Sequence, residues 1–137
     1  MSSHPSLVQV VLDTEDVRGL AEFYRELLGL QYRPGDEPPG DPAADDLEWL
    51  VLRQADGRPA LAFQLVDDLP EATWPEGPRP QQLHLDLTVP DVDALAEQHE
   101  RALGLGGRLL LDRRDDPEEP LYVYADPAGH PFCIFVG

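Results

Sequence analysis

The chain predicts an α+β fold made of two tandem βαβββ units, and two observations carry that expectation. The first is a repeat at an offset of 75 residues: Asp16, Val17, Leu20, Ala21, Glu22, Leu28, Gly29 and Leu30 return as Asp91, Val92, Leu95, Ala96, Glu97, Leu103, Gly104 and Leu105. Eight identities fall in fifteen aligned positions without a gap. Self-similarity at one fixed spacing marks a repeated supersecondary unit. The second is that each half runs from a short apolar strand into a helix-period stripe and then into short strands set between turn signals. The repeat divides one domain, 1–137, into unit one at 7–66, a linker at 67–81 and unit two at 82–137.

In unit one, 7–12 is short and rich in β-branched residues, with Gln9 its one polar residue, and predicts a strand. Thr14 or Asp16 can cap the helix that follows. Val17, Leu20, Ala21, Tyr24, Leu27 and Leu28 form one apolar stripe, and Gly29 stands where a C-terminal cap glycine belongs. Residues 30–33 predict a short strand. Residues 35–46 hold five carboxylates and no apolar side chain larger than alanine, which predicts an exposed, mobile loop. Residues 47–54 and 59–66 predict a hairpin turning at Asp56-Gly57. The linker carries four prolines in 67–80.

Unit two repeats this order. A strand at 83–89 leads to a helix at 92–103, capped by Asp91 and closed by Gly104, then to a strand at 107–111. An acidic loop at 112–120 follows, then strands at 121–124 and 132–136 about a turn at 126–129. The charge run 115–119 predicts a solvated face. His99 takes the place of Tyr24 in the helix stripe, which predicts a histidine at the core edge with its ring nitrogens bonded locally.

Composition narrows the function. Ten basic residues, all arginine, stand against 27 acidic ones, for a formal charge of −17. Nucleic-acid binding depends on cationic side chains that neutralise phosphates, so this balance excludes it as a partner. The field concentrates cations and repels anions. A single cysteine, Cys133, excludes an intrachain disulfide and suits a reducing compartment. No apolar run approaches the length of a membrane span, so the expectation is a cytoplasmic protein with no membrane partner.

The repeated βαβββ unit, the helix end at Tyr24, Gly29 and Leu30, the phrase His84-Leu-Asp-Leu87, and the closing hairpin from Asp126 through Gly129 to Phe132, Cys133 and Ile134 resemble the vicinal oxygen chelate superfamily. Within it the closest likeness is to glyoxalase-like and bleomycin-resistance-like proteins. The resemblance implies a curled mixed sheet around a pocket between the units, a homodimer, and four pocket positions open to a divalent metal. Carried over, these are Gln9 and His84 on the first strands and Gln64 and Cys133 on the last strands. Aligning Gly57 and Pro59 with Gly129 and Pro131 would instead put Leu61 opposite Cys133.

One imidazole, two amides and a thiol lack the carboxylates that hard divalent ions prefer. The expectation is therefore no cofactor, with a single ion on Gln9, Gln64 and His84 as the alternative. The expected pocket lining is Gln9, Trp49, Phe63, Gln64, His84, Asp86, Tyr124 and Cys133. His84 and Asp86 share one strand face and can act as an oriented pair or a plain buried one. Cys133 reads as an inert filler ahead of a nucleophile. Strand aromatics in an acidic protein suit a flat or cationic small molecule, so binding or sequestration is the expected function. A metal-dependent lyase, isomerase or dioxygenase is the alternative, and no catalytic residue can be named.

Overall fold

The computed structural model describes residues 4–137. The chain divides into two compact units, one ending at Asp68 and the other running from Leu69 to Gly137. Each unit is an open four-stranded mixed sheet with one helix, so the two tandem βαβββ units are present.

Unit one contains β1 (Val10–Thr14), α1 (Val17–Leu28), β2 (Gln31–Tyr32), β3 (Trp49–Arg53) and β4 (Pro59–Leu65), with a 3-10 turn at Pro42–Ala44. Its sheet order is β1-β4-β3-β2, with β1 parallel to β4. Unit two contains β5 (Leu85–Val89), α2 (Val92–Leu105), β6 (Arg108–Arg113), β7 (Leu121–Ala125) and β8 (Pro131–Val136), in the order β5-β8-β7-β6. Its β5 is parallel to β8.

Both helices start where a short acidic side chain can replace a missing backbone partner. Asp16 accepts from the amide of Gly19 and Asp91 from that of Ala94. The helix α1 ends at Gly29, whose φ of 67° is left-handed and open to glycine at little cost. The helix α2 runs past Gly104 and stops at Gly106, where the amides of Gly106 and Gly107 reach back to the carbonyls of Leu103 and Ala102. Glycine inside a helix only weakens it, and Gly104 has no atom within 4 Å of the position of a Cβ. β1 also begins later than expected, because Leu7 and Val8 stay exposed ahead of it.

One face of each sheet carries the helix and the core. In unit one Leu12, Leu50, Leu52 and Phe63 are almost fully buried, and the rings of Tyr24 and Phe63 stack at 6.2 Å. Each such side chain contributes about 1.5–3 kcal/mol through apolar burial. In unit two the corresponding layer holds Leu95, Ala102, Tyr122, Tyr124 and Phe132. His99 sits in it as the counterpart of Tyr24. Its ring stacks on Tyr122 at 3.9 Å and its Nδ1 is 2.6 Å from the Tyr124 hydroxyl.

The acidic segment after β2 is tied down. Asp36 is buried and accepts the amide of Val51 at 2.9 Å. Arg18 grips both carboxylate oxygens of Asp45, at 2.7 and 3.1 Å, donates to the Asp36 carbonyl and lies over the Tyr32 ring. A segment expected to be mobile therefore spends two of its five acids on anchors.

Candidate ligand-binding concavity of the second unit

The face of the second sheet opposite α2 is built by register. Asp86 on β5 pairs with Cys133 on β8, Cys133 with Val123 on β7, and Val123 with Leu111 on β6. Side chains alternate across a strand, so these four share one face, and Leu121 and Arg113 extend it by one step. All six line a concavity of about 320 Å³, which falls at the small end of the range of ligand pockets. His84, just before β5, and Glu119, just before β7, add to its wall. Trp74 and Gln81, from the segment ahead of β5, complete it.

Its polar groups include the carboxylates of Asp86 and Glu119 and, on the same wall, the Arg113 guanidinium. The Cys133 thiol donates to Oδ1 of Asp86 at 2.9 Å, and Nε2 of His84 stands 3.2 Å from the same oxygen. Burial first, and the Asp86 hydrogen bond second, push the Cys133 thiol up to about 12. It is a neutral donor at physiological pH and a poor nucleophile. Oε1 of Gln81 is buried without a hydrogen-bond partner. A buried polar atom left unpaired is costly and calls for a partner from outside the protein.

Not every residue expected in the pocket is here. His84, Asp86 and Cys133 come together, whereas Tyr124 points to the helix side and is held by His99. Phe63 likewise packs against Tyr24 on the helix side of its own sheet, with no exposed surface. Trp49 and Gln64 face each other across β3 and β4, and Gln9 precedes β1, all three in unit one. The register also replaces both alignments of the last strand. Val11 pairs with Ala62 as Asp86 pairs with Cys133, so Ala62 holds the equivalent place, and neither Gln64 nor Leu61 does. A bulge at Leu52/Arg53 in the β3–β4 pairing is what sequence alignment of the two hairpins cannot anticipate.

A glyoxalase-like domain family model matches residues 9–135. The chain belongs to that family. Solved structures of low sequence identity share the fold of this glyoxalase-like domain. A glyoxalase/bleomycin resistance protein/dioxygenase family enzyme from Burkholderia phytofirmans is 15% identical, with 94% of this chain and 96% of that one covered, at a TM-score of 0.66. The fosfomycin resistance protein FosX from Listeria monocytogenes, complexed with Mn(II) and sulfate, is 19% identical over 100% of this chain and 94% of that one, at a TM-score of 0.65. A mutant of the same FosX, with Mn(II) and 1S,2S-dihydroxypropylphosphonic acid, is 18% identical with the same coverage, at 0.68. No curated protein matches the chain.

The Mn(II) in those FosX structures corrects the expectation of no cofactor, since proteins of this fold do hold a divalent ion. The donor set of this glyoxalase-like domain does not fit such an ion as it stands. Among the described residues no three His, Cys, Asp or Glu side chains are grouped to hold a metal. Of the three positions named for the alternative, Gln9 and Gln64 supply neutral amides, and only His84 lies at this concavity. The Cys133 proton is committed to Asp86 and would have to leave before sulfur could bind a metal.

Sequence reasoning missed Trp74, Gln81, Arg113 and Glu119. The first two sit in the segment read as a linker, and the others lie on or beside the loop read as a solvated face. The available signal was a tryptophan in a proline-rich stretch, an expensive side chain to leave in an idle linker.

Proposed function

We propose that the concavity of the second unit binds a small organic molecule through a cationic, N–H-bearing head. The observation that carries this reading is the unpartnered, buried Oε1 of Gln81 in a wall that also presents Asp86 and Glu119. An unpartnered amide oxygen recognises an N–H group, and carboxylates beside it favour a positive charge. The formal charge of −17 raises the local concentration of cations around that site.

The test is isothermal titration of the purified protein with benzamidine, benzamide and benzoate, with and without added Mn(II). These three probes share a ring and differ in head charge. Saturable binding of benzamidine, about tenfold tighter than benzamide and weakened in both Asp86→Asn and Glu119→Gln, is the expected result. A preference for benzoate, or no saturable binding under either condition, overturns the reading.

A further inference from the structure

We propose that Trp74 is the specificity-determining residue of this concavity, selecting ligands whose head is carried on a flat aromatic ring. This rests on the binding reading above and adds the class of ligand skeleton. The segment bearing Trp74 lies between the repeats in sequence, yet it is a built part of the second unit. Thr73 and Arg79 close a loop with three hydrogen bonds: the Thr73 amide to the Arg79 carbonyl at 2.7 Å, the Thr73 hydroxyl to that carbonyl at 3.1 Å, and the Arg79 amide to the Thr73 hydroxyl at 2.8 Å. Gly77, at φ 123°, completes the closure, and a Cβ there would sit 2.3 Å from the Thr73 hydroxyl.

The loop is then fixed to the sheet. Nε of Arg79 donates to the Glu71 carbonyl at 2.6 Å, and Nη2 of Arg108, at the start of β6, reaches the Glu71 carboxylate at 3.3 Å. Gly129, in the β7–β8 turn, leaves room for the Glu71 side chain, whose Cγ would lie 2.5 Å from an added Cβ. These contacts fix the chain around the half-buried Trp74, which lines the concavity and also lines a second one together with Thr73, Arg79 and Arg108. A large aromatic side chain held at the wall of a ligand site offers a π-face that stacks on a flat ring, and a saturated ring gains only contact area from it. Gln81, two residues past Arg79, delivers the unpartnered acceptor from the same segment. One piece of chain thus supplies both the ring wall and a head-group contact.

The experiment compares benzamidine with cyclohexanecarboxamidine, which keeps the amidinium head and replaces the aromatic ring by a saturated one. Each is titrated into the wild-type protein, Trp74→Ala and Trp74→Phe, with circular dichroism checking that the variants fold. The expected result is a wild-type preference for benzamidine of about three- to tenfold. In Trp74→Ala the preference falls to near unity through the benzamidine arm, and in Trp74→Phe it persists. An undiminished preference in Trp74→Ala overturns the role of Trp74 and leaves the binding reading intact. Failure of the wild-type protein to bind either amidine overturns both.

Discussion

Cys133 shows how one contact decides what a side chain can do. The residue is 9% exposed, its thiol is bonded to Asp86, and both burial and the carboxylate oppose ionisation. Alkylation by iodoacetamide at pH 8 is therefore slow in the folded protein, and Asp86→Asn speeds it several-fold by removing the charge while leaving the burial; a thiol assay follows both. The same shift ties stability to alkaline pH. The folded thiol, at about 12, holds its proton where an unfolded thiol with the ordinary value of 9.0 has lost it. The unfolded state then binds fewer protons, so this contribution is fully present below pH 9 and is lost as pH rises towards 12. Between pH 9 and 10.5 the urea midpoint of the wild-type protein falls, with a component of order 1 kcal/mol per pH unit that Cys133→Ala lacks.

The anchoring of the acidic segment belongs to the elements it joins. Asp36 satisfies the Val51 amide at the centre of β3, and Arg18 ties Asp45 and the Asp36 carbonyl to α1. Asp36→Ala leaves a buried amide without an acceptor and is expected to cost about 1–3 kcal/mol in urea unfolding. Arg18→Met keeps much of the packing over Tyr32 but loses the two-pronged contact with Asp45. Its expected signature is faster proteolysis within 36–46, with the remainder of the chain protected at first. Equal acceleration of cleavage throughout the chain would show that the clamp acts on global stability instead.

The charge acts on the molecule as a whole. Ten basic residues cannot match 27 acidic ones one to one. Self-repulsion on this surface is screened by salt, so the thermal midpoint rises as NaCl goes from low to about physiological ionic strength and beyond. Potassium chloride should act as sodium chloride does; a difference between them would point to a specific ion site in place of screening. Among the described residues no helix is long and apolar enough to cross a membrane.

What could be read in the residues alone was local. The 75-residue repeat, both helices, their Asp16 and Asp91 caps and the Gly29 stop follow from spacing and from single side chains acting on neighbouring backbone. The family likeness lay in short phrases of the same kind, and it led to the right fold. Of the residues expected in a pocket, His84, Asp86 and Cys133 line one concavity. Strand alternation divides residues into two faces without saying which face a helix covers, so it cannot tell that Tyr124 and Phe63 belong to the core. Only the tertiary structure decided those faces, the pairing of Val11 with Ala62, and the seating of Trp74 and Gln81 beside β6. Each depends on contacts between segments distant in sequence, whose register is set by packing and bulges, and composition carries no record of that.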